Sequence, residues 1–397
     1  VSNGAVGLAR LTLARGLFSA GNAAIAVVWG YAVFVINNSA FLTGLLDTGY
    51  TLAFAAASSW LTIRHQLLAA RTSIVVNGLI SATVTAAVGL LTALNDYVWL
   101  LLLVVVIGVG TGVNYPAWFA QLRRGRDGNE LHGQIGTYES FRVVAVLSGT
   151  AGGGLLAHVL GLKPTTLLIA VAFATGGLLA LTFPRSDGLP APDQPATPAK
   201  TSEAVVAVNH RVRLLFGLLA ALQLMLAPII AVTPVLAVEG VDGGVAHVGM
   251  LSALYGAGSV LQFVTTKAAA HGAGVRMLVS ATLALMLACA VLAAVLRTVA
   301  GAALLMVSFG FGVSSIGTLI NAEIQSSVHE SVRDKRVSTY ALIFSIPLAV
   351  GSGVWGLAAD FVAVPIIAII ATILTALIAI LLLVVWRQVS GRWGRSG

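Results

Sequence analysis

The sequence predicts an all-α polytopic membrane protein of 12 transmembrane helices, built as two pseudo-symmetric six-helix bundles. Three observations carry this: scarcity of charge, a succession of long apolar runs, and a polar break at the midpoint. Of 397 residues, 58% are hydrophobic and only 9% are charged, with a mean hydropathy of +0.97. Soluble domains carry about 25% charged residues. So few charges cannot cover a water-facing surface, so most of this surface must face lipid.

Apolar runs bounded by charges or turn residues give spans at 11–36, 41–63, 72–94, 97–121, 134–160, 164–184, 213–238, 246–267, 275–296, 299–321, 336–359 and 362–386. Each is long enough for the roughly 20 residues that cross a bilayer as helix. The gap after the sixth run differs from the rest. From Pro184 to Lys200 it is Pro-rich and polar, with no apolar periodicity, and reads as a linker. The expected organisation is therefore a six-helix bundle over 1–184, a cytoplasmic linker over 185–212 and a second bundle over 213–397.

Of the 22 Lys and Arg residues, Lys163 and Arg297 fall in loops on one side, and Arg142 falls inside a span. The other 19 are assigned to the opposite side, among them Arg64, Arg71, Arg123, Arg124, Arg126, Arg333, Lys335 and Arg387. The positive-inside rule makes that side cytoplasmic and places both termini there, in the plasma membrane. The same rule accounts for the pI of about 10.1, so nucleic acid is not expected as a partner. No cleavable signal peptide is expected, because the first apolar run is too long for an h-region.

The halves repeat weakly. Gly44, Leu46, Tyr50 and Arg71 recur as Gly249, Leu251, Tyr255 and Arg276, an offset of 205. Gly108 and Gly110 recur as Gly310 and Gly312, and Gly149 and Gly154 as Gly351 and Gly356, an offset of 202. Repeated halves with a site at their interface are the architecture of many secondary transporters.

Two six-helix halves joined by a cytoplasmic linker resemble the major facilitator superfamily. In the fifth span, Arg142 followed by Ser148-Gly149-Thr150-Ala151-Gly152-Gly153 resembles the G-P-x-x-G-G motif of that superfamily's exporters, with Thr150 in place of proline. The upstream arginine, the stretch Gln325–Tyr340 and Gly356–Asp360 resemble its enterobactin-exporter-like and multidrug-efflux branch. The cytoplasmic G-x-x-x-D-R-x-G-R-R signature is degraded to Ser59–Arg71, without its Asp. The resemblance implies a monomer and a cavity lined by the first, second, fourth and fifth helices of each half. It also implies a gating role for Gly149, Gly152 and Gly153.

Ionisable groups at membrane depth are functional candidates by default. Asp47 lies about two turns into the second span, with Tyr50, Thr51 and Phe54 following at helical spacing. A carboxyl group there can be neutral when buried and ionised when wetted, as a proton-coupled cycle requires. The alternative is a carboxylate at the outer vestibule, hydrogen-bonded to groups of span one or eleven. Glu139 and Arg142, spaced i, i+3, are further proton-coupling candidates or a structural ion pair. Substrate-binding candidates are Asn22 and Trp29 in span one, Tyr50, and the face of Asn114, Tyr115 and Trp118 in span four. In the second half they are Gln223, Tyr255 and Gln262. Small polar residues more often pack helices than hold ligands.

The lone cysteine, Cys289, leaves no internal disulfide. The seven histidines lack metal-ligand spacing, and no P-loop is present. No metal, no cofactor and no enzymatic activity are expected. The expected function is proton-coupled efflux of a small, partly apolar molecule by alternating access. The alternatives are an importer of the same fold and a non-transporting membrane sensor or scaffold.

Overall fold

The computed structural model describes residues 3–64, 70–90, 96–123, 128–183, 243–270, 298–326 and 333–363, with parts of 216–240, 280–289 and 366–384. The helices are α1 (Asn3–Asn37), α2 (Ala40–Arg64), α3 (Ala70–Leu90), α4 (Tyr97–Arg123), α5 (Gly128–Leu160) and α6 (Leu162–Ala180). After a π-helical turn at Leu236–Gly240 come α7 (Val245–Val260), α8 (Gln262–Ala270), α9 (Val299–Ser326) and α10 (Arg333–Phe361). Among the described residues, nine segments are long and apolar enough to cross a membrane. The expected linker and much of the seventh, ninth and twelfth spans lie outside the described residues.

Tight connections place the helices as antiparallel neighbours. Asn38 closes α1 in the left-handed region, at φ 49°, with its N–H donating to the Phe34 carbonyl at 2.7 Å. Gly161 alone joins α5 to α6 at φ 89°, where a side chain would be strained. Asp96 caps α4, its Oδ1 accepting the N–H groups of Val98 and Trp99 at 3.1 and 3.4 Å. The eighth expected span, 246–267, departs from a single helix. It divides at Leu261, whose N–H turns to the Gly258 carbonyl at 3.0 Å.

In the first half α1 packs on α5 and α6, α2 on α4, and α3 on α6 and α4. Its core is aromatic near Trp118, which meets Phe18 edge-on at 5.5 Å and Phe183 at 6.4 Å. The sequence repeat reappears as repeated packing. A Cβ on Gly108 would meet the backbone of Tyr50, and one on Gly310 the backbone of Tyr255. Gly149 rests against the backbone of Ala20, and its counterpart Gly351 against Leu224.

Two seams join the halves at the end of the molecule that carries Asn38. At one, α5 meets α7: a Cβ on Gly154 would lie 2.7 Å from the Gly249 Cα. At the other, α2 meets α10, and the contact is polar. The Asp360 carboxylate accepts the Ser39 hydroxyl at 2.7 Å and the N–H groups of Ala40 and Phe41 at 2.6 and 3.3 Å. Ser39 Oγ also accepts the Leu42 N–H at 3.2 Å. The free N–H groups that open α2 are thus met largely from the opposite half. Thr48 Oγ1 donates to the Ala349 carbonyl at 2.6 Å.

The seams are pseudo-symmetric in backbone but not in chemistry. By the repeat, Asp360 corresponds to His158, and the start of α2 to the start of α7. Gly244 at that start makes no side-chain capping bond.

Three outcomes follow. Gly152, where a Cβ meets nothing within 4 Å, should accept alanine with a rise in melting temperature, since Gly costs a helix about 0.5–1 kcal/mol. Gly154→Ala should lower the melting temperature, by overpacking worth about 1–3 kcal/mol. Asp360→Ala should remove about 0.5–2 kcal/mol of capping and speed amide hydrogen exchange at Ala40 and Phe41; unchanged exchange there would refute the cap.

Candidate functional site

A partly open cavity of ≈ 100 Å³ lies between α1, α2 and α4, closed at one side by Pro234 from the second half. Helical spacing delivers the wall. Asn22, Ile25, Ala26, Trp29 and Gly30 form one stripe of α1; Thr43, Leu46, Asp47 and Tyr50 one stripe of α2; and Val104 and Ile107 come from α4. Gly30 allows the close approach here, with Thr43 and Pro234 side chains within 3.9 Å of where its Cβ would stand.

Four residues expected to be functional from the sequence therefore share one cavity: Asn22, Trp29, Asp47 and Tyr50. Two carry unmet hydrogen-bonding capacity. Asn22 Oδ1 is buried without a donor, and Trp29 Nε1 is buried without an acceptor, in a side chain only 1% exposed. Such groups cost about 1–3 kcal/mol each when left unmet, so they mark positions where a ligand or water gains most. Asp47 reaches beyond the cavity: the Ser352 hydroxyl of α10 donates to its Oδ2 at 2.6 Å. The Tyr50 hydroxyl pairs with the side chain of Thr111.

Other candidates lie elsewhere. Asn114 turns from the cavity toward α3, its Oδ1 accepting the Ser73 hydroxyl at 2.9 Å. Trp118 is fully buried in the aromatic core and lies beneath the Arg15 guanidinium, 5.5 Å from the ring centroid. Tyr115 meets Phe54 edge-on at 5.7 Å, on the α2 side of α4. These three were expected on one cavity face. A span of five residues on α4 instead serves three neighbours, because α2, α3 and α1 pack around it.

In the second half, Gln223 is buried with its Nε2 unmet, and Tyr255 packs against the core. Gln262 Oε1 accepts the Thr318 hydroxyl at 2.6 Å, at the point where α7 gives way to α8. None of the three borders this cavity. The Glu139 side chain lies outside the described residues. Arg142 is half-buried on α5 and makes interactions of its own. The expected close-approach role fits Gly149 and Gly153, which face Ala20 and Ala24 of α1. Gly152 does not share it: it points to open space.

Sequence reasoning missed several residues. Arg15, counted with the cytoplasmic basic residues, is 9% exposed inside α1. Its position within the first apolar run is the signal that would have singled it out. Ser352 and Pro234 carry no local signal, because their roles exist only across the interface. Among the described residues, no group of three or more His, Cys, Asp or Glu converges as a metal site.

No curated protein matches the chain by sequence. Among solved structures it resembles the nucleoside transporter NupG, with a TM-score of 0.75 at 12% identity, over 96% of this chain and 99% of that one. It resembles a bacterial homologue of the iron transporter ferroportin in an inward-facing state, with a TM-score of 0.70 at 15% identity, over 96% and 100%. It also resembles a bacterial homologue of the human lysosomal transporter Spinster, inward-facing and unoccupied, with a TM-score of 0.69 at 17% identity, over 96% and 98%. At these identities the likeness speaks for the fold. The family model of the Major Facilitator Superfamily matches residues 11–346, and on that span the chain belongs to the Major Facilitator Superfamily.

Proposed function

We propose that the protein is a proton-coupled secondary transporter that exports a small, partly apolar molecule across the plasma membrane by alternating access. One observation carries the reading. Asp47 lines the cavity and is at the same time hydrogen-bonded across the seam to Ser352. A group placed in both the site and the interface can link occupancy of one to opening of the other.

In this reading the two halves, 1–184 and 213–397, rock about the cavity and the 185–212 linker stays cytoplasmic. The Asn38 end is external, closed by the α2–α10 and α5–α7 seams. Opening it breaks the Asp360 cap, the Thr48 bond and the Asp47–Ser352 bond together. Arg142 and the glycines of α5 serve the movement. Gly149 and Gly153 let α5 lie directly on α1, and Gly154 lets it lie on α7. The exporter-like run in α5 favours efflux. Uptake by the same cavity is the second reading, motivated by the structural likeness to a nucleoside transporter.

Alternating access is testable without knowing the substrate. In a Cys289→Ser background, a cysteine at the cavity position Ala26→Cys should react with an impermeant maleimide from the cytoplasmic side. Adding Asp360→Ala should increase reaction from the external side. Equal labelling from one side only, in both proteins, would sink the two-state reading. In proteoliposomes, Asp47→Asn should abolish movement driven by a pH gradient while leaving exchange at equal pH. Retained coupling would remove Asp47 from the proton path.

A further inference from the structure

The chemistry of the cavity wall narrows what can bind there. Among its twelve lining residues one is acidic, Asp47, and none is Lys, Arg or His. Asn22 Oδ1 adds a second acceptor with no donor. Ser352 engages one oxygen of Asp47, Oδ2, which leaves the other for a ligand. Trp29 and Tyr50 present aromatic rings, and Ile25, Leu46, Val104, Ile107 and Pro234 complete an apolar wall. Of the buried lining atoms left without a partner, one is an acceptor, Asn22 Oδ1, and one a donor, Trp29 Nε1, beside the Asp47 carboxylate and the ring surface.

We propose that the cavity selects a protonated amine on a compact aromatic or apolar body, and that this cation and a proton compete for the Asp47 carboxylate. The proposal rests on reading the cavity as the transport site. An ionised carboxylate in an apolar wall, held by a single neutral hydroxyl, is poorly compensated. A proton or a bound cation relieves it, and the two exclude each other. An ammonium group has the N–H donors to meet both Asp47 and Asn22 Oδ1, and the rings of Trp29 and Tyr50 favour a cation over a neutral group. An oxygen acceptor near the amine would meet Trp29 Nε1. An anionic ligand would face the carboxylate in a low-dielectric site and is rejected.

Among the described side chains, the other titratable or charged groups on the elements packed against α2 are Arg10, Arg15 and Tyr31 of α1, Tyr97 and Tyr115 of α4, and Asp360 of α10. None of them lines the cavity, and Tyr50 is the only titratable neighbour of Asp47 that does. Arg15 lies against Trp118, and Asp360 lies at the N-terminus of α2. Any change of charge within the cavity therefore belongs to Asp47.

The test uses one carbon skeleton in different charge states, on the purified full-length protein in detergent. The probes are 2-phenylethylammonium, 2-amino-1-phenylethanol as its cation, 2-phenylethanol and 3-phenylpropionate, titrated by calorimetry from pH 5 to 8. The two cations should bind at least about tenfold more tightly than the alcohol, and the propionate not at all. Cation affinity should fall on acidification, approaching a tenfold loss per pH unit once Asp47 is mostly protonated. The hydroxyl-bearing cation should be the tighter of the two, and Trp29→Phe should erase that margin while leaving the preference for charge. Asp47→Asn should lose both the preference and the pH dependence. Ser352→Ala, which keeps the carboxylate, should retain them even if Asp47→Asn folds poorly.

Equal binding of alcohol and cation, tighter cation binding at low pH, or no binding by any probe would each overturn the proposal. None of those outcomes touches the transporter reading, which stands on the side-dependent labelling at Ala26→Cys.

Discussion

In hydrocarbon a backbone N–H or C=O group has no partner but another group of the chain. That constraint makes every spanning element here a helix, and it decides how the helices meet. Apolar side chains gain little by leaving lipid for one another, so association depends on close packing and on the few available polar contacts. Both devices are present, and they are distributed unequally. The α5–α7 seam is made of backbone on backbone, Gly154 against Gly249. The α2–α10 seam is made of hydrogen bonds, from Asp360, Thr48 and Asp47.

The inequality has a mechanical consequence. A steric seam of small residues can slide or part without leaving a polar group stranded. A polar seam cannot. When α2 and α10 separate, the N–H groups of Ala40 and Phe41, the Thr48 hydroxyl and the Asp47 carboxylate all lose partners at once. Water meets the groups at the rim. Asp47 is deeper, beside a wall that is mostly apolar, and in the proposed cycle its release is where a proton or a ligand has most leverage. The pseudo-symmetric position of Asp47 is Ser252, and that of Ser352 is Thr150. Thr150 donates to its own helix, to the Leu147 carbonyl at 2.9 Å. One seam therefore carries hydrogen bonds between the halves where the other carries backbone contact.

The first half also holds polar groups that serve packing. Ser73 bonds Asn114, and Ser81 bonds Asn77 at 3.3 Å, both within the bundle. Arg15 is buried with its Nε unpartnered, and its guanidinium lies over the Trp118 ring, where a cation–π contact offsets part of the cost. Arg15 stands on α1 seven residues before Asn22 and fourteen before Trp29, both of which line the cavity.

Much of this was legible in the sequence, because it depends on local chemistry. Apolar runs of span length mark the helices whatever they pack against, and glycines at a fixed offset mark the repeat whose contacts recur in space. Asn22, Trp29, Asp47 and Tyr50 stood out because polar and aromatic groups at membrane depth are expensive wherever they point. Tertiary structure decided where they point. Asn114, Tyr115 and Trp118 share one stretch of helix, yet each faces a different neighbour, since a helix surrounded on several sides divides its face among them. Ser352, Pro234 and Asp360 gained their roles from residues about 200 to 320 positions away, and no local pattern encodes a contact made across the interface of two halves.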